Sequence, residues 1–178
     1  MTGTLMPTLM RSGAVAILLT MAGPGHAEVS QHPLLHAEGT VHLKAAPERV
    51  WNVVGDFTGL HRWHPGVKGT TLLEGTNRKP PAVRQLDLGE GQWLISELLE
   101  WNGKQHTLRY RILKSPLPIV NYVATYAVKP APNGGSTFVW KTDFRRQEGA
   151  GVDDAAAKKI VQEVIDQGLA KLPRVVGE

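Results

Sequence analysis

Arg84 and Glu97 are the two charged residues that most strongly suggest chemistry inside this protein. Both lie in stretches whose alternating pattern predicts neighbouring β-strands. Four apolar residues at alternate positions share the predicted face of Glu97, which is expected to point inward: Trp93, Ile95, Leu99 and Trp101. A buried carboxylate needs a cation or hydrogen-bond donors, and Arg84 is the expected partner. Two roles are open for this pair: a polar anchor for a ligand, or an internal ion pair that fixes strand register.

Two histidines also suggest chemistry. His61 and His64 flank Trp63 at a spacing of three residues, so one helical turn could present both imidazoles to a metal ion. A third ligand is not evident nearby, so we expect histidines on the surface or at a pocket mouth, and no metal site. The sequence contains no cysteine, nucleophile elbow, phosphate loop, dinucleotide fingerprint or metalloprotease motif. We therefore predict no cofactor and assign no catalytic residue.

The length and charge of the chain narrow the class of protein. Its 178 residues are typical of one globular domain. The formal net charge is +4, and the basic residues are scattered along the sequence. Nucleic-acid binding requires a clustered basic face with interleaved aromatic residues, so the pattern argues against that function. A weakly basic surface still suits docking to an acidic protein partner.

The first 27 residues have the pattern of a secretory signal peptide. Arg11 precedes an apolar run from Ala14 to Ala22, and small residues at Gly25 and Ala27 suit cleavage after Ala27. The apolar run is too short for a permanent membrane span. The alternatives to a signal peptide are an interfacial anchor that is not cleaved and a disordered leader. We therefore expect a signal peptide over 1–27, a flexible segment over 28–35, one domain over 36–176, and a periplasmic or secreted location.

A long C-terminal helix is the element around which the rest is expected to fold. Apolar residues recur at steps of three and four from Val152 to Val175, which predicts one continuous apolar face. Pro173 is expected to end the regular helix. Two short helical segments are predicted at 47–56 and 58–66, after the first strand.

The remaining sequence predicts seven strands. The pair Asn102-Gly103 is typical of a hairpin, whereas the Pro-rich stretch 75–81 suggests a loop. Short connections favour antiparallel neighbours. The pattern predicts an α+β fold, in which a curved antiparallel sheet wraps around the C-terminal helix. The predicted strands cover 36–43, 67–73, 82–88, 92–101, 105–113, 119–128 and 136–146.

The order of elements and several short segments resemble the START-related (SRPBCC) superfamily, in its polyketide cyclase/dehydrase and lipid-transport branch. The resemblance covers roughly residues 37–172. It depends on the order and spacing of these segments: Ala46–Trp51 with Phe57, Trp63–Pro65, Val83–Arg84, Glu97–Leu99, Tyr110–Ile112, Ser115–Pro118, Asn121–Tyr122 and Trp140.

This resemblance implies a helix-grip fold with a cavity between the sheet and the long helix. Inward positions would line that cavity, although each aromatic residue could instead fill a core. The ligand-binding residues expected on this basis are Trp63 at the rim, Arg84, Trp93, Glu97, Leu99, Tyr110, Tyr122, Trp140, Val161 and Ile165.

Three functions follow from the resemblance. The first is a periplasmic carrier or sensor of a hydrophobic small molecule or lipid. The second is an accessory protein that docks to a periplasmic redox enzyme, because secreted members of this length are similar to the accessory proteins of methanol oxidation (MxaD type), which assist a quinoprotein dehydrogenase and its cytochrome. The third, a cyclase or dehydratase, needs an acid–base pair, for which Glu97 is the main candidate. The expected protein has no membrane span after signal cleavage.

Overall fold

The computed structural model describes residues 32–132 and 134–178. The predicted signal peptide lies outside the described residues, as does the first half of the segment predicted to be flexible, 28–31. The elements are β1 Leu35–Leu43, α1 Pro47–Val54, α2 Leu60–Trp63, β2 Gly69–Thr76, β3 Lys79–Gly89, β4 Gln92–Asn102, β5 Thr107–Lys114, β6 Ile119–Pro130, β7 Ser136–Arg146 and α3 Asp154–Val175.

The seven strands form one antiparallel sheet, which confirms the predicted α+β helix-grip fold. The strand order is β1-β7-β6-β5-β4-β3-β2, so the first strand pairs with the last and the rest follow as a meander. Pairing of β1 with β7 runs from Leu35 opposite Phe144 to Leu43 opposite Ser136. No helix in the described part of the chain is long and apolar enough to cross a membrane.

Helix α3 covers the concave side of this sheet. The side chain of Asp153 caps its first turn by accepting from Ala156 N at 2.7 Å. The helix continues past Pro173 to Val175, so the predicted stop is wrong. The N–H of Val176 still donates to Leu172 O at 3.1 Å, because a proline in the last turn removes only its own donor. The buried face consists of Ala157, Val161, Ile165, Gly168, Leu169 and Leu172.

Glycine permits the close approach of elements at two points. At Gly39 of β1, an added Cβ would lie 2.4 Å from Leu169 Cδ1 of α3. At Gly168 of α3, an added Cβ would lie 2.9 Å from His64 Cδ2. The glycine at position 39 lets α3 pack closely on the sheet. The glycine at position 168 lets α2 pack closely on α3.

Two connections differ from the sequence prediction. The stretch predicted as a loop at 75–81 is a hairpin, with a turn at Asn77 and Arg78. Asn77 Nδ2 donates to Asp56 Oδ1 at 2.8 Å, which holds this turn against the loop after α1. The hairpin at Asn102 is confirmed, but its loop extends over residues 103–106, and Asn102 Oδ1 accepts from Lys104 N at 3.0 Å.

Candidate functional site

The inward face of β4 is the opposite of the predicted one. Leu94, Ser96 and Leu98 are buried, whereas Trp93 is 44% exposed on the outer side. Both alternating sets of this strand are largely apolar, so alternation alone does not identify the buried face. The predicted inward positions of Trp93, Glu97 and Leu99 are therefore wrong.

A β-bulge changes the alternation near the end of β4. The register with β5 shifts between Leu98 and Glu100, so Leu99 has no ladder partner and is half-buried. Beyond the bulge, Trp101 packs against Trp51 of α1 with ring centroids 5.6 Å apart. Trp101 Nε1 also donates to Gly55 O at 2.8 Å.

Glu97 does not pair with Arg84. Its carboxylate accepts from Arg111 Nε of β5 at 2.6 Å, on the outer face of the sheet. Arg111 has 52% of its side chain exposed, so this is a surface ion pair between neighbouring strands. The predicted internal pair is wrong, and Arg84 has other partners.

Arg84 is buried at the inner face of β3, as the sequence predicted, and is 3% exposed. Its Nε donates to Ser96 Oγ at 3.0 Å and its Nη1 donates to Phe57 O. The guanidinium carbon lies 4.1 Å from the centre of the Phe57 ring and 5.3 Å from that of Tyr110. Among the described residues, no carboxylate lies within ion-pair distance of Arg84.

Burial lowers the pKa of Arg84 from its ordinary value, although the neighbouring phenols and Asp56 oppose that change. Asp56 itself is bound by Arg62, Thr58 and Asn77. These contacts hold the pKa of Asp56 below its usual value, despite the opposing effect of burial. Asp56 is therefore engaged elsewhere and does not complete the coordination of Arg84.

Three tyrosines surround Arg84 on the inner face. The rings of Tyr122 and Tyr126 have centroids 6.1 and 5.6 Å from that of Tyr110. Burial raises the pKa of all three phenols, so they are protonated at neutral pH. Several buried polar atoms nearby have no hydrogen-bond partner in the described part of the chain, among them Trp63 Nε1, Tyr126 Oη, Trp140 Nε1 and Thr142 Oγ1.

A cavity of about 160 Å³ lies between this inner face and α3. Gln167, an exposed residue of α3, is part of its lining, so the cavity reaches the surface beside the helix. The complete lining consists of Leu60, His64, Gly66, Val67, Arg84, Leu86, Leu88, Leu94, Tyr110, Ile112, Leu117, Tyr122, Trp140, Val161, Val164 and Gln167.

The structure brings half of the predicted ligand-binding residues to this cavity: Arg84, Tyr110, Tyr122, Trp140 and Val161. Trp63 is 1% exposed and packs below the cavity, so its predicted place at the rim is wrong. Ile165 is fully buried in the core beneath α3. Sequence reasoning missed Leu94 because it assigned the wrong parity to β4. It also left out Leu86 and Leu88, which share the inward face of β3 with Arg84.

His64 lines the cavity and fixes the position of α2 on α3. Its Nε2–H donates to Val164 O at 2.8 Å, and its Nδ1 accepts from Gly66 N at 3.1 Å. Burial, with the charge of Lys171, lowers the pKa of His64 below 6.5, although the bond to Val164 opposes this. His61 has a separate partner, Thr70 Oγ1 at 3.2 Å, so the two histidines do not share a ligand.

Comparison with known proteins gives the same fold. The family described as polyketide cyclase/dehydrase and lipid transport matches residues 35–177. Protein XoxI of Bacillus cereus is 29% identical over 79% of this chain and 94% of its own, with a TM-score of 0.71. An uncharacterised protein of Bacillus thuringiensis is 28% identical over 81% of this chain and 100% of its own, with a TM-score of 0.72.

The aromatase/cyclase Zhui of Streptomyces sp. R1128 has the same fold at 18% identity. The match covers 81% of this chain and 92% of that enzyme, with a TM-score of 0.65. The family match spans all ten elements of the described structure. The chain therefore belongs to the polyketide cyclase/dehydrase and lipid-transport family.

Proposed function

We propose that this protein binds a small apolar molecule in the cavity between the sheet and α3, with a carbonyl or carboxylate oxygen of the ligand accepting from Arg84. The observation that carries the proposal is the burial of Arg84 without a carboxylate partner among the described residues. A guanidinium has five N–H donors, and Ser96 and Phe57 take up two of them. An acceptor oxygen on the ligand would compensate the buried charge through a charge-assisted hydrogen bond.

The size of the cavity limits the ligand. A volume of about 160 Å³ is close to that of an engineered cavity of about 150 Å³ that binds benzene. It is smaller than the roughly 300–1,000 Å³ of pockets for drug-sized ligands. These volumes favour one ring or a short chain and argue against a diacyl lipid.

The side chains around the cavity support binding rather than catalysis. General base catalysis needs a deprotonated group with a free lone pair in reach of the substrate. Neither Asp nor Glu is among the lining residues in the described part of the chain. His64 has both ring nitrogens engaged, and the tyrosines are protonated. We therefore favour a carrier or sensor over a cyclase or dehydratase.

The proposed location is the periplasm, supported by the signal-peptide pattern of the first 27 residues. N-terminal sequencing of protein from the periplasmic fraction should begin at Glu28.

A second candidate function is that of an accessory protein to a periplasmic redox enzyme, as in methanol oxidation. The observation that favours docking is an exposed apolar groove, lined by Trp93 and Leu113, on the outer face of the sheet.

The binding proposal is tested by calorimetric titration with benzoate, benzaldehyde and toluene. The wild type should prefer benzoate and benzaldehyde to toluene. Arg84→Met should reduce that preference by about tenfold or more, since a hydrogen bond to a charged group contributes about 1.5–3 kcal/mol. Arg111→Met, which removes an exposed arginine from the outer face, is the matched control and should bind as the wild type does.

Arg84→Met should remain folded, because it removes a buried charge that has no carboxylate partner and keeps a long side chain in its place. Its melting temperature checks this. Equal affinity of the wild type for benzoate and toluene would overturn the proposal, as would unchanged binding in Arg84→Met. Native mass spectrometry of protein purified without detergent would then identify the natural ligand as an added mass that is lost on denaturation.

A further inference from the structure

Strands β5 and β6 separate before they reach their connecting turn. They pair from Thr107 opposite Ala127 to Arg111 opposite Val123 and no further. Beyond that point β5 stays on β4, whereas β6 stays on β7. The edges that face each other there have no ladder partner in the described structure, and such edges accept an added strand.

The backbone of β6 is irregular at the point where its pairing with β5 stops. Asn121 has a φ of 54°, and the register of β6 with β7 shifts between Val120 and Val123. The strands enclose an open space of about 1,000 Å³ on the outer face of the sheet, here called the β5–β6 groove. It is lined by Gly91, Gln92, Trp93, Arg111, Ile112, Leu113, Lys114, Ser115, Pro116, Ile119, Val120, Asn121, Tyr122, Val123 and Gln147.

Two large apolar side chains of this groove are exposed to solvent. Trp93 of β4 is 44% exposed and Leu113 of β5 is 46% exposed. Neither contributes to the core, so their exposure has no structural explanation in the described residues. Tryptophan is the side chain most enriched among those that dominate protein–protein binding energies. Exposed apolar residues around a concavity mark a contact surface.

The lining of the groove contains two basic residues, one of which has no acidic partner. Arg111 and Lys114 are its only charged lining residues in the described structure. Arg111 is paired with Glu97, which lies beside the groove, and Lys114 forms no ion pair with a described residue. Lys114 is therefore an uncompensated cation beside an apolar centre, which complements an acidic partner.

We propose that the β5–β6 groove receives an extended acidic segment of a partner protein. The segment adds to the free edge of β5 or β6 and places an apolar side chain between Trp93 and Leu113. A concave site with free backbone donors and acceptors suits a polypeptide better than a lipid bilayer, which offers neither a protruding chain nor backbone groups. This docking surface lies on the opposite face of the sheet from Arg84, so it does not depend on the identity of the cavity ligand.

Site-specific photocrosslinking in the producing cells tests this interaction. p-Benzoylphenylalanine is placed at Trp93 or Leu113, and at Leu73 of β2 as a control with 47% exposure. The groove positions should give an adduct with one protein, and Leu73 should not. Mapping of the crosslink by mass spectrometry should identify a partner segment with more Asp and Glu than Lys and Arg.

Charge reversal tests the chemistry of the partner. Lys114→Glu should reduce the adduct yield at Trp93 about fivefold or more, because reversed rim charge slows association. Lys104→Glu, at the exposed turn on the other end of β5, should leave the yield unchanged. Melting temperatures confirm that each variant is folded.

Several outcomes would overturn the proposal. They are an absence of protein adducts at Trp93 and Leu113, equal yields at Leu73, or an adduct with lipid. A crosslink to a second copy or another part of this chain, or to a segment that is not acidic, would also overturn it.

Discussion

At the scale of single residues, Arg84 and Glu97, which the sequence suggests as a pair, have unrelated roles in the structure. Arg84 is buried beside the cavity, and Glu97 forms a surface ion pair with Arg111. The position of Arg84 was predictable, because the apolar residues Ala82 and Leu86 share its face of β3. The position of Glu97 was not, since Trp93 and Ile95 make the outer face of β4 as apolar as its inner face.

The surface position of Glu97 makes Glu97→Ala a mild substitution. The free energy of unfolding should fall by about 1 kcal/mol or less, because exposed ion pairs contribute little. Urea unfolding, followed by tryptophan fluorescence, measures this change. Arg111→Ala is the matched control and should cost a similar amount. A loss of about 3–5 kcal/mol, the cost of breaking a buried pair, would show instead that Glu97 compensates a buried cation.

At the scale of elements, periodicity predicted α3 and the meander because each element has one continuous apolar face. The β2–β3 hairpin was missed because its prolines suggested a loop, whereas the contact of Asn77 with Asp56 is a tertiary feature. The seating of α2 on α3 depends in the same way on partners distant in sequence. Gly168 provides space for His64, and Val164 provides its hydrogen-bond acceptor.

The link between α2 and α3 should weaken in mild acid. The pKa of His64 is below 6.5 in the folded protein, chiefly through burial, so the unfolded chain takes up a proton at higher pH than the folded chain does. The free energy of unfolding should therefore fall as the pH drops below about 6.5, and level off below the folded pKa. A protonated Nδ1 would also oppose the N–H of Gly66.

Melting temperatures between pH 8 and pH 5 test this link. His64→Gln should show a weaker decrease than the wild type, because residue 64 no longer titrates. His61→Gln, on the same helical turn but bonded to Thr70, is the control and should keep the decrease of the wild type. Identical profiles for the wild type and His64→Gln would contradict the prediction.

At the scale of the whole molecule, two separate spaces lie on opposite faces of one sheet. The inner cavity and the β5–β6 groove share two lining residues, Ile112 and Tyr122. Elsewhere the paired strands of the sheet separate the two spaces. The side chains of Ile112 and Tyr122 therefore form the partition between them. Tyr122 is held there by Tyr110 and Phe144, with ring centroids at 6.1 and 6.2 Å. The sequence predicted an inward Tyr122 but not the separation of β5 from β6, because the bulge at Asn121 has no signature in the alternation.

Removal of the Tyr122 ring should join the two spaces and enlarge the set of ligands. We expect 2-naphthoate to bind Tyr122→Ala more tightly than the wild type, since loss of the ring would extend the cavity of about 160 Å³ into the groove. Tyr122→Phe retains the ring and should bind 2-naphthoate as the wild type does. Calorimetric titration, with benzoate as the reference ligand, measures the difference.

The loss of the ring should also cost about 3–5 kcal/mol of unfolding free energy, the range for large aromatic side chains. A cooperative thermal transition must therefore accompany the binding data. Ile112→Ala removes the other side chain of the partition and loses fewer contacts than Tyr122→Ala does. It should therefore bind 2-naphthoate more weakly than Tyr122→Ala. If both alanine variants fold and neither binds 2-naphthoate more tightly than the wild type, the partition lies elsewhere. Tighter binding by either variant would show that Ile112 and Tyr122 separate the cavity from the groove.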